Sequence, residues 1–201
     1  MTTARDLALV AADPRDRTVV EQGDLSLALA GAELIDLLDA EALTLDGTLL
    51  VPAGPAPAGD RLLSEAAQWL ADGGPGETVD DWLWRRGRDL AGRYRTVLEE
   101  EGLVEPERRR HNPLRRQHTA PADPSAIRAA AGERRSSGEP VLGALAAAAG
   151  LTAQGGETSD GLDDERTTVL AAVLQAVTEL AGERQRRTIE AEAFDNIWRG
   201  Y

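Results

Sequence analysis

The stretch Pro57-Ala58-Gly59-Asp60-Arg61-Leu62-Leu63-Ser64-Glu65-Ala66 restricts the fold of this chain more tightly than any other, because it reads as a helix entrance. Pro57 and Gly59 stop the preceding extended segment, and Asp60 can accept a hydrogen bond from an orphan N–H of the first turn. Leu62, Leu63, Ala66, Trp69 and Leu70 then share one helical face. Glu77-Thr78-Val79-Asp80-Asp81-Trp82-Leu83 repeats the device. Thr78 is its N-cap, and Asp81 three residues on makes a short-armed capping box.

The remaining elements follow from the same signals. Leu7 to Val10 and Thr18 to Val20 read as a short strand pair or irregular entry, turning at Asp13-Pro14-Arg15-Asp16. A helix over 24–38 lines one face with Leu27, Gly31, Leu34, Ile35 and Leu38. Asp46-Gly47 between two apolar arms predicts a β-hairpin over 42–51, with both turn residues at positive φ. Helix 61–71 ends in the glycine-rich 73–76. The helical region 79–101 breaks near Gly87, since a glycine inside a helix costs about 1 kcal/mol against alanine. A second, longer hairpin follows Gly102 around Asn112-Pro113. Residues 124–131 are partly helical, a helix covers 141–149, and two C-terminal helices over 163–181 and 184–198 separate at Gly182. Trp69, Trp82 and Trp198 fall at core spacing, whereas Trp84 lies off that face beside the arginines and suits an interface. The expectation is a mainly α fold: one helical domain over 1–201 carrying small β-hairpins.

Charge is distributed unevenly. All 22 basic residues are arginine, which with the alanine and glycine load points to a GC-rich, bacterial genome. The net charge is −13, yet residues 85–118 hold ten arginines against six acidic side chains, which leaves −17 for the rest. A basic island in an acidic chain predicts an anionic partner bound at one place. The densest part is Arg108, Arg109, Arg110, Arg115 and Arg116 around Leu114, which a single glutamate, Glu107, cannot neutralise.

Several chemistries find no support. Without cysteine there is neither a disulfide framework nor thiolate chemistry. His111 and His118 stand among arginines with no carboxylate between them, so no metal is expected. No phosphate-binding glycine loop or Ser/His/Asp arrangement is present. Asp163-Asp164-Glu165 reads as acidic residues at a helix start. No cofactor and no catalysis are expected. With no apolar run near the 20 residues that span a bilayer, the chain is expected to be cytoplasmic, with any membrane contact peripheral.

The helix entrances resemble the Golgi phosphoprotein 3 family, which carries a P-[TS]-G-D-x-L-L-D-E-A-L run and a T-V-x-x-W-[IL] helix start. Leu29-Ala30-Gly31-Ala32-Glu33-Leu34-Ile35-Asp36-Leu37 is similar to the family's first helix, and Leu98-Glu99-Glu100-Glu101-Gly102-Leu103-Val104 to the end of its central helix. The resemblance runs through residues 5–128. It implies a non-enzymatic peripheral membrane adaptor whose basic pocket binds the headgroup of phosphatidylinositol 4-phosphate. A neighbouring hairpin meets the bilayer, and protein clients are held by their tails.

Carried over by position, one pocket arginine falls on Arg88, with Arg85 and Arg86 as nearby candidate donors. Glu21, Ala30 and Ala91 stand where the family places aromatic or basic groups, so headgroup specificity is not implied. Arg108, Arg109, Arg110, Leu114, Arg115 and Arg116 are the candidate hairpin for an anionic surface. Two alternatives compete: a protein–protein scaffold of the same fold without lipid recognition, and a winged-helix nucleic-acid binder. The second is disfavoured by a pI of about 4.6.

Overall fold

Residues 25–37 of the chain are apolar nearly all round, interrupted only by Ser26, Glu33 and Asp36, and such a helix must be enclosed on every side. In the computed structural model this is helix α2 (Gln22–Asp39), and every residue from Leu25 to Leu37 is buried. The structure describes residues 2–13, 20–73, 76–105, 124–151 and 162–199, with side chains up to residue 192. Packed on α2 are α1 (Thr3–Ala11), α3 (Arg61–Asp72), α4 (Val79–Arg86), α5 (Leu90–Glu100), α7 (Pro140–Ala148) and α8 (Asp164–Arg199), while α6 (Pro124–Ser136) lies on α1 and α7. The fold is mainly helical, with one small hairpin of β1 (Leu43–Asp46) and β2 (Leu49–Pro52) among the described residues.

Both predicted helix entrances form. Asp60 Oδ1 accepts from Leu62 N and Leu63 N at 3.0 Å each. Thr78 and Asp81 make the reciprocal capping box. The hairpin also forms, but its turn is Gly47-Thr48, closed by the Asp46–Leu49 pair, and of its residues only Gly47 has positive φ. That is the pattern of a two-residue turn with glycine at its first central position. The edge of β1 is occupied: Leu45 N donates to Glu165 Oε1 of α8 at 2.7 Å.

Two local expectations are corrected. Residues 7–10 are helical: Thr2 caps α1 through Arg5 N, and Asp36 of α2 accepts from Thr3 N and Ala4 N at 2.7 and 2.9 Å. Ala4, Leu7 and Ala8 carry the helical spacing that packs this element on α2, so tertiary burial overrides the short β-like run. Thr18 lies outside the described residues. The second correction is α8, which continues unbroken through Gly182. One exposed glycine in a helix of 36 residues costs too little to break a ladder held on both sides.

The break near Gly87 is present, and its cause is partly spatial. A Cβ at Gly87 would stand 2.5 Å from the Leu83 carbonyl and 3.3 Å from Leu27 of α2. The left-handed residue is Asp89, at φ 56°. Gly31 serves a close approach of the same kind, since a Cβ there would stand 2.3 Å from Val173 Cγ2 of α8. Residues 106–123, where the second hairpin is expected, lie outside the described residues.

Candidate functional site

The end of α4 and the turn after it send three arginines in three directions. Arg85 is 38 % exposed in its side chain and forks onto Glu77, its Nε 2.7 Å from Oε1. Its guanidinium lies over the rings of Trp69 and Trp82, 5.2 and 5.5 Å from their centroids. Arg86 is fully enclosed. Its Nε and Nη2 donate to both oxygens of Glu33 at 2.7 and 2.9 Å, and Nη2 also reaches the Leu62 carbonyl at 3.2 Å. Burial opposes that charge, yet Glu33 and Glu65 outweigh it and hold Arg86 above its usual range. Burial lifts the Glu33 carboxyl, with the bonds from Arg86 pulling the other way. Tyr94 completes the cluster by donating to Glu33 at 3.2 Å. Arg86 is therefore a core ion pair that ties α4 to α2, and it cannot present donors to a headgroup at the surface.

Arg88 is exposed in the turn between α4 and α5. It lines an open cleft of about 350 Å³ together with Trp84, Gln22, Gly23, Leu27 and Leu180. The first turn of α2 forms one wall, and its N-cap residue Glu21 makes no side-chain hydrogen bond to it. The N-terminus of a long helix favours negative charge, because its first N–H groups lack intrahelical partners and the peptide dipoles add there. Gly23 gives α8 room on this wall: a Cβ there would meet Leu180 Cδ2 at 2.7 Å. Asp89 lines the same cleft, and Glu21 stands exposed at the start of α2. The cleft thus combines an apolar floor, an indole, one exposed guanidinium and a helix N-terminus, with two carboxylates nearby.

Of the positions carried over from the resemblance, Ala30 is buried and its carbonyl accepts from Trp82 Nε1 at 3.1 Å. Ala91 is buried with its N–H on Ser26 Oγ at 3.1 Å. Neither offers a donor to the cleft. Arg108, Arg109, Arg110, Leu114, Arg115 and Arg116 lie outside the described residues, as do the side chain of Trp198 and both histidines. Trp82 is core, Trp69 is half-buried beneath two guanidiniums, and Trp84 reaches the cleft.

Three buried acids escaped the sequence reading: Asp6, Glu33 and Asp36. Their signal was an acidic residue inside an otherwise apolar helical run, where a partner is obligatory. Asp36 finds it in the first turn of α1, yet burial still lifts its carboxyl to about 6. Among the described residues no group of three or more His, Cys, Asp or Glu side chains could hold a metal ion, and no helix is long and apolar enough to cross a membrane.

A family model described as Golgi phosphoprotein 3 matches residues 4–193. No curated protein and no solved structure matches the chain.

Proposed function

The chain belongs to the Golgi phosphoprotein 3 family, and from that premise we propose that it is a non-enzymatic peripheral adaptor docking on anionic phospholipid. The cleft of Arg88, Trp84 and the α2 N-terminus is the observation that carries the reading. A phosphate seated there meets one guanidinium and orphan N–H groups, while the indole suits the polar–apolar boundary of a bilayer. In this reading the arginines of 108–116 add to the attraction, each worth about 1 kcal/mol near an anionic surface. The protein then acts in the cytoplasm, on the inner face of the membrane, where it holds protein clients.

Selectivity for phosphatidylinositol 4-phosphate is not part of the proposal. One guanidinium contributes about 1.5–3 kcal/mol in a charge-assisted contact, and Glu21 and Asp89 oppose a phosphate at the same mouth. Those two carboxylates favour the second reading, a scaffold of this fold that binds protein alone.

Flotation with liposomes of graded charge, with and without phosphatidylinositol 4-phosphate, tests the proposal. Binding to anionic vesicles at low salt is expected, lowered about fivefold by Arg88→Ala and abolished when Arg108, Arg109, Arg110, Arg115 and Arg116 are all replaced by serine. Indifference to vesicle charge would leave the scaffold.

A further inference from the structure

Charges of both signs meet at the Arg88 cleft, and a purely anionic ligand does not account for them. Arg88 and Asp89 are consecutive, both exposed, and both line it. Asp89 stands there against local preference. Its φ of 56° is a left-handed conformation uncommon outside glycine. Its side chain makes no capping hydrogen bond to α5, so capping does not explain the residue. Its carboxylate lies over Gly92, where a Cβ would stand 2.7 Å from Oδ1. A poor helix former in the first turns of α5 thus makes room for that carboxylate.

The opposite wall repeats the mixture. Glu21 is exposed next to Gln22, which lines the cleft. Arg184 of α8 reaches this wall too, since a Cβ at Gly23 would stand 3.5 Å from its Nη2. Both of its terminal nitrogens, however, donate to Asp24. The bonds to Asp24 hold Arg184 above its usual range, and Glu21 adds to them. Arg184 is committed to the first turn of α2, and the guanidinium that lines the cleft is Arg88.

We infer that the cleft takes a phosphoethanolamine headgroup, with its phosphate on Arg88 and the Gln22 amide and its ammonium among Trp84, Asp89 and Glu21. This rests on the lipid-docking reading above and names the headgroup. Each part of such a group meets its complement. The phosphate meets a guanidinium, and the ammonium meets an indole and the two carboxylates that oppose a phosphate alone. A cleft of about 350 Å³ has room for one small ligand. Other headgroups satisfy fewer of these residues. Glycerol brings no cation, so the carboxylates face only the phosphate. Choline brings a cation without an N–H to donate. Serine adds a carboxylate that Asp89 and Glu21 repel. The arginines of 108–116 supply attraction to any anionic surface, and the cleft adds selection among headgroups.

Vesicles of constant charge separate the headgroup from electrostatics. All contain the same fraction of phosphatidylglycerol, and the remainder is either phosphatidylethanolamine or phosphatidylcholine. The full chain is expected to bind the ethanolamine vesicles about fivefold more tightly. Asp89→Asn with Glu21→Gln should bring that ratio to one while strengthening binding to the choline vesicles, because a repulsion from phosphate is removed. Asparagine tolerates the left-handed backbone at 89, and an unchanged melting temperature checks the fold. A titration of the unaltered chain with a soluble headgroup needs neither variant nor membrane. Glycerophosphoethanolamine from about 1 to 50 mM should shift the amide signals of Gly23 and Gly87 and the indole N–H signal of Trp84 to saturation, and glycerophosphoglycerol should not. Equal binding to the two vesicle types overturns the proposal and leaves charge-driven docking standing. A preference that survives in the double variant overturns it too, as does the absence of saturable shifts. Saturation by the soluble headgroup without binding to any vesicle upholds the chemistry of the cleft and removes the membrane.

Discussion

Asp36 joins two helices through one carboxylate. It closes the first turn of α1 from the side of α2, and burial raises it to about 6, from the ordinary aspartate value of about 3.9. Between those values the folded chain holds a proton that the unfolded chain has released, so lowering the pH stabilises the fold. The full effect is roughly 3 kcal/mol for this group, of which about 1 kcal/mol falls between pH 7 and pH 5. Asp6 and Glu33 are also raised and act in the same direction, whereas Glu65 and Asp81 are lowered and act against it. Urea unfolding at the two pH values should show the wild type gaining stability on acidification and Asp36→Asn losing about 1 kcal/mol of that gain. An unchanged pH slope in the variant would assign the titration elsewhere. The Arg86–Glu33 pair allows a sharper test. Arg86→Met strands a buried carboxylate and should destabilise by about 3–5 kcal/mol, while Arg86→Met with Glu33→Leu should recover most of that loss. The sequence singled out Arg88 by resemblance and offered Arg85 and Arg86 as nearby donors, because charge says nothing of direction. A helix end turns adjacent side chains by about 100°, and here that separates the core, the half-buried flank and the cleft.

Two helical glycines, one facing α8 and one within it, differ in what lies across from them. Gly31 of α2 admits Val173 of α8, so Gly31→Ala should lose about 1–3 kcal/mol by overpacking despite its better helix propensity. Gly182→Ala meets no described atom within 4 Å and should add up to about 1 kcal/mol. Thermal melts of the two variants should move in opposite directions, and parallel shifts would contradict the packing described. The sequence showed Gly31 on the apolar face but suggested a helix end at Gly182, because a glycine in isolation carries no sign of what lies across from it. The caps at Asp60 and Thr78, the hairpin and the α4–α5 break were legible for the converse reason: each is a local hydrogen bond or dihedral requirement. Helix α1 was not, since its apolar run is short and part of its capping comes from Asp36, distant in sequence. The cleft was legible only as Arg88 and Trp84, because its other wall is α2, brought there by tertiary packing.

At the scale of the whole molecule, the balance of −13 against a basic island makes electrostatics both attractive and self-limiting. Binding to anionic vesicles should fade between about 20 and 150 mM salt as the screening length falls to ~8 Å. Flotation across that range checks this, and salt-independent binding would point to apolar insertion. Duplex DNA should not form a specific complex at about 150 mM salt, and a sequence-selective gel shift would favour the winged-helix alternative. Fold class and family were recoverable from the sequence because helix entrances and apolar faces recur in a fixed order.

The enclosure of α2 has a consequence for synthesis. Its last wall is α8, which begins roughly 125 residues after α2 ends. At ~5–20 residues per second a ribosome needs about 6–25 s to cover that distance. Throughout that interval a helix apolar on nearly every side waits without its final cover. The enclosure of α2 is therefore completed only once α8 has been made.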